Sequence, residues 1–117
     1  MMLTAPLSLP ETHLAAAVIQ RAWDDAIVPD ERLAGRRWIA TRDGAQQVYG
    51  AGLKPADREE AIRFLVDDAP AWAQSRAAWC ELAGIAPEAL QRRARQRIPA
   101  ASLPADLRRD APLAEAA

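Results

Sequence analysis

One cysteine, Cys80, and one histidine, His13, are all that the 117-residue chain has of these two residue types. A single copy of each excludes an internal disulfide framework and a zinc site of Cys and His ligands, and it fits a reducing compartment. No run of about 18 apolar residues occurs, and the start, "MMLTAPLSLPE", lacks both a basic n-region and a long apolar stretch. The expectation is a soluble, unexported, cytoplasmic protein that does not engage a membrane. Also missing are a glycine-rich phosphate loop, a histidine-based triad and metal-ligand spacing. The carboxylate pairs Asp24–Asp25 and Asp67–Asp68 are adjacent in sequence, so on a helix they point about 100° apart and read as solvated ends. Cys80 falls on an apolar helix side with nothing basic placed to lower its pKa, and reads as a small packing residue. The chain is expected not to be an enzyme, and no cofactor is called for.

Aromatic residues are also few: four tryptophans, one tyrosine and one phenylalanine, in a chain that is 50% hydrophobic largely through alanine. Small side chains with a few large anchors suit closely packed helices better than a sheet. The expected fold class is therefore all-α, a small bundle of four to five helices in a single domain over residues 1–98, followed by a mobile tail, 99–117. The length supports one modest core.

The net charge of −1 conceals a gradient. Residues 1–54 carry six acids and six bases, 55–90 seven acids and three bases, and 91–117 three acids and six bases. Local distribution, not global pI, decides what such a chain attracts.

Helix signals recur along the sequence. Ser8 and Glu11 have capping-box spacing, and Leu14, Val18, Ile19, Ala22, Trp23, Ala26 and Ile27 follow at three- and four-residue intervals until Pro29. In "KPADREEAIRFLVDDAP", Pro55 and early acids open a helix whose buried stripe is Ala61, Ile62, Leu65 and Val66; Pro70 reads as its end. "AWAQ" then bridges to Ser75 as an N-cap, with helices expected at Arg76–Ala83 and Pro87–Arg97. Residues 30–54 admit two readings. A short helix through Leu33, Ala34, Arg37 and Trp38 competes with a hairpin of "WIAT" and "QQVY" about the Asp43–Gly44 turn signal. The helix is favoured because "DERLAGRRWI" echoes "DREEAIRFLV".

The segment "WCELAGIAPEALQRRARQR" carries the functional reading. A helix-turn-helix needs a tight turn, a small residue where the helices approach and apolar anchors on the facing sides. Gly84 supplies the turn, Cys80 the small residue, and Trp79, Ala83, Ile85 and Leu90 the anchors. Arg93 stands where an apolar residue is usual and Ala86 where a polar cap is usual, so the match is partial. If the second helix enters a major groove, Glu88, Gln91, Arg92, Arg95 and Gln96 face base edges, Arg93 and Arg97 hold phosphates, and Arg76 adds another contact. The plain alternative is a helical hairpin whose outer face happens to be basic, gripping the acidic stretch Asp57–Asp68 of its own or a neighbouring chain. Arg32, Arg36, Arg37 and Arg42 form a second basic cluster around Trp38. That cluster fits a single-strand or protein-binding patch, but a tryptophan in a helical pattern reads first as core.

Over Ala61–Leu90, "AIRFLV...W..SR..WCELAGIAPEAL" resembles small proteins of alphaproteobacteria and their prophages, including regulators associated with gene transfer agents. The resemblance implies a role in transcription of phage-like genes and brings no catalytic residues. The combined expectation is a DNA-binding transcriptional regulator that contacts double-stranded DNA through residues 87–97. One such helix binds weakly, so a homodimer, RNA polymerase or another DNA-binding protein would supply a second foothold. The alternative is a protein-interaction module, or a small phage-derived effector, without DNA contact.

Overall fold

Proline opens three of the four helices. In the computed structural model, which describes residues 9–108, the helices are α1 (Leu9–Ala26), α2 (Pro55–Val66), α3 (Pro70–Ala83) and α4 (Pro87–Arg97). Pro55, Pro70 and Pro87 each occupy the first turn, and none of the preceding residues, Lys54, Ala69 or Ala86, caps through its side chain. Proline is suited to this place because its φ is already helical and its missing N–H would have had no partner. Pro70 therefore begins α3 instead of closing α2, and Ser75, expected to cap a helix starting at Arg76, lies inside α3. The capping residue expected for α1, Ser8, lies outside the described residues.

Residues 30–54 form no second helix beyond a 3₁₀ turn at Asp30–Arg32. They form an antiparallel hairpin, β1 (Arg36–Thr41) and β2 (Gly44–Tyr49). The all-α expectation is corrected accordingly: the fold is a helical bundle with a two-stranded sheet. Local chemistry explains the outcome. Gly35 disfavours a helix, Trp38, Ile39, Thr41, Val48 and Tyr49 favour strands, and Arg42–Asp43 form a two-residue connection between the paired Thr41 and Gly44. Gly44 has φ +127°, and the Thr41 Oγ1 donates to its carbonyl at 3.1 Å.

The base of the hairpin is fastened by backbone bonds. Ala34 N–H donates to Leu53 O at 2.7 Å and Gly50 N–H to Gly35 O at 2.8 Å. Gly52, at φ +111°, lies against this stem so closely that a Cβ would sit 2.6 Å from Arg32 O. Beyond the stem the strands leave the bundle, and every β1 residue is exposed. Trp38, expected in the core, is 67% exposed.

The core forms where α2 meets the other three helices. Ile62, Leu65 and Val66 of α2 and Cys80 of α3 are fully buried, with Ile19 and Ala26 from α1 and Leu90 and Ala94 from α4 around them. The predicted α2 stripe is thus the buried one. In α1 the apolar face is rotated slightly from expectation: Ala15 is buried and Leu14 is exposed. After α4, two 3₁₀ turns, Ala100–Ser102 and Ala105–Leu107, fold back so that Leu103 is buried and Leu107 packs on the core. Arg63 fastens this segment with a two-pronged ion pair to Asp106 at 3.0 and 3.1 Å while also bonding Asp67 at 2.7 Å. No helix among the described residues is long and apolar enough to cross a membrane.

Candidate nucleic-acid interface

Two requirements shape the α3–α4 pair. The chain must reverse quickly after Ala83, and the C-terminus of α2, packed against the pair, must find donors for its last carbonyls. Gly84 meets the first in the left-handed conformation, φ +74°, that glycine adopts without a Cβ penalty. The Ile85 N–H then donates back to Cys80 O at 2.9 Å and closes the turn. Pro87 opens α4 within three residues of the end of α3.

The second requirement takes two of the residues assigned to DNA. Helix C-termini present carbonyls without intrahelical partners and the negative end of the dipole. Arg76, only 4% exposed, reaches across from α3 and donates through Nη1 to Phe64 O and Asp67 O, both at 3.0 Å. Its Nη2 meets Asp68 Oδ1 at 3.4 Å. Gln91 of α4 donates through Nε2 to Val66 O at 3.1 Å and to Asp68 Oδ1 at 2.7 Å. Both side chains hold α2, α3 and α4 together; Arg76 is buried, and Gln91 is half-buried with its Asp68 contact at the surface.

Arg95 is half-buried on the flank where the C-terminal turns return, and its Nη1 lies 3.4 Å from Leu107 O. The remaining sequence-predicted residues stay outside. Glu88, Arg92, Arg93, Gln96 and Arg97 are all exposed, and the structure gives Arg92, Arg93 and Arg97 no ion pair with any described residue. Arg93 and Arg97, four apart, repel each other mildly on the free helix face. On one side of this ridge runs a shallow groove floored by Ile19, Trp23, Ile85 and Leu90, with Arg93 at its lip. On the other side stand Asp68 and Glu88.

Cys80, at the back of the pair, is fully buried. Its thiol pKa is raised by burial, an effect that neighbouring Arg76 opposes and Glu88 reinforces. It stays protonated and packed, as a residue at a helix crossing should.

The second basic cluster named from the sequence, around Trp38, falls on the hairpin. Arg32, Arg37 and Arg42 are exposed and make no ion pair among the described residues. Arg36 donates through Nε to the Tyr49 hydroxyl at 3.1 Å and lies 5.5 Å from the ring centroid. Lys54 approaches the same ring at 5.4 Å. Trp38 was named within this cluster but expected to be buried; its register in a strand places it in the open.

Compared with known proteins, the chain matches no family model, no curated protein and no solved structure.

Proposed function

We propose that the chain is a non-enzymatic regulator that binds double-stranded DNA through the free face of α4, with Arg92, Arg93, Gln96 and Arg97 as its contacts. The observation that carries this reading is a division among the arginines. Arg58, Arg63 and Arg76 are tied to carboxylates and carbonyls of their own chain, whereas three on one face of α4 have no such partner among the described residues. Guanidinium groups on a helix preceded by a tight glycine turn match both phosphate oxygens and the O6/N7 edge of guanine. Gln91, Arg76 and Arg95 are reassigned to holding the helix in place. The contacts left are too few for tight binding by one copy, so a dimer, RNA polymerase or another DNA-bound protein completes the site. The resemblance to regulators of phage-like genes suggests the class of promoter.

Fluorescence anisotropy on labelled duplexes, titrated from low to physiological salt, tests the reading. A variant carrying Arg92→Ala, Arg93→Ala and Arg97→Ala should lose most of its binding, and the slope of log K against log salt for what remains should shrink by about 2.7, at about 0.9 per phosphate released. Equal binding by this variant and the wild type would refute the assignment.

A second reading has its own support. The groove between α1 and α4 leaves Ile85 36% exposed beside Trp23, which suits a protein partner. Under that reading Arg92→Ala with Arg97→Ala keeps its partner, and Ile85→Asp loses it.

A further inference from the structure

The hairpin is more strongly basic than its bundle. Between Arg32 and Lys54 the chain carries five cationic side chains, Arg32, Arg36, Arg37, Arg42 and Lys54, against the single acid Asp43. Side chains alternate along a strand, so the register of Arg36 with Tyr49, Trp38 with Gln47 and Ala40 with Ala45 gives one face its composition. Trp38 lies at its centre, 67% exposed, with Gln47 opposite. Next along the face comes Tyr49, whose ring has Arg36 and Lys54 within 5.5 Å of its centroid. Arg37 lies on the reverse face and Arg42 at the tip.

The fold has no use for this arrangement. Trp38 contributes little to the core, and a lone two-stranded hairpin is marginal in water, held here by its stem. Repulsion between like charges opposes pairing with a second copy. An anionic ligand relieves that repulsion, and the exposed Trp38 ring, on the same face as the cation-flanked Tyr49, suits one anion in particular: a nucleic acid whose unpaired bases stack while its phosphates meet arginine and lysine. A duplex keeps its base faces covered. A single strand offers them.

We propose that the β1–β2 hairpin is a single-stranded nucleic-acid-binding arm, in which Trp38 stacks on an unpaired base while Arg36, Arg42 and Lys54 follow the backbone. This site is separate from α4 and does not depend on it. Stacking recognises the face that every base has, so the arm binds with little sequence preference.

The test uses the full chain and a fluorescein-labelled 20-mer of oligothymidine, with a mixed-sequence single strand of equal length for comparison. The wild type should bind both at low salt. Trp38→Ala should weaken binding about tenfold or more, and Trp38→Phe should recover most of the loss. Arg42→Ala with Lys54→Ala should reduce the salt slope by about 1.4, at about 0.7 per phosphate of a single strand. The α4 triple variant should bind the oligothymidine as the wild type does. All these side chains are exposed, and circular dichroism should show unchanged folding. The proposal is overturned if the folded wild type ignores both oligonucleotides at low salt, the result expected were the occupant an acidic protein. It is equally overturned if Trp38→Ala binds as tightly as wild type, or if the α4 variant alone abolishes binding. Loss of duplex binding with single-strand binding intact would fail the α4 reading and leave this one standing.

Discussion

The two basic regions, α4 and the hairpin, are alike in composition and opposite in construction. Helix α4 is embedded: Leu90 and Ala94 are buried, and Gln91 and Arg95 turn inward to carbonyls of Val66 and Leu107. Only one strip of it is free. In the hairpin, β1 is exposed along its full length, and only Val48 and Tyr49 of β2 are half-buried. An arginine's role is therefore set by what lies across from it. Arg76 sits opposite the end of α2 and serves the fold, whereas Arg92 sits opposite solvent.

Substitutions should separate the two classes sharply. The largest effect is expected at Arg76→Ala, which leaves the Phe64 and Asp67 carbonyls unsatisfied and opens a void. A loss of about 3 kcal/mol or more should appear as a lower urea midpoint, within the range for breaking a buried charged network. Leu65→Ala, at a fully buried position, should cost about 2–5 kcal/mol by lost burial and a residual cavity.

Gly52→Ala comes next. It imposes both a positive φ and a contact with the Arg32 carbonyl, and should destabilise by about 1–2 kcal/mol. Hydrogen exchange should show the loss concentrated in the hairpin amides, because the bundle does not rest on that stem. At the other extreme, the α4 triple variant should change stability by less than about 0.5 kcal/mol, and in the favourable direction, since alanine is a better helix former and the Arg93–Arg97 repulsion goes. A destabilised triple variant would mean that α4 is as internally engaged as Arg76.

A pH effect should be smallest. The Arg63 guanidinium holds the Asp106 carboxyl below its ordinary value. A group depressed in the folded state stabilises fully above its unfolded pKa and loses that contribution as pH falls through the folded one. Anchoring of the C-terminal turns should therefore be constant at neutral pH and weaken only under acid conditions. Asp106→Asn should remove this dependence, read from amide protection of residues 100–107.

Much of the bundle was legible. Pro55 and Pro87, the apolar stripe of α2 and the glycine after Ala83 are local signals, and local rules are sufficient for them; Pro70 reads as the end of α2 because a proline can follow one helix as well as open the next. The hairpin was legible only as an alternative. The echo between "DERLAGRRWI" and "DREEAIRFLV" matched residue classes but not propensities: the second has no glycine, whereas Gly35 interrupts the first, which runs on into the Asp43–Gly44 turn. At the candidate site, the sequence did not show which of the named side chains stay exposed and which turn inward. Arg76 and Gln91 bond to backbone carbonyls, and every residue has one of those, so no residue-type pattern marks which side chains will be drawn inward. Leu103 and Leu107 were assigned to a tail because two isolated leucines among prolines carry no periodicity. Their burial depends on a surface made by α2 and α4.

The central claim is that the fold leaves the arginines of one α4 face free for DNA. The most direct measurement compares duplex affinity across salt for the wild type and the Arg92→Ala, Arg93→Ala, Arg97→Ala variant, with urea midpoints recorded in parallel. The account predicts an unchanged or slightly raised midpoint with most duplex binding lost. Retained binding with the wild-type salt slope, at an equal midpoint, would contradict it.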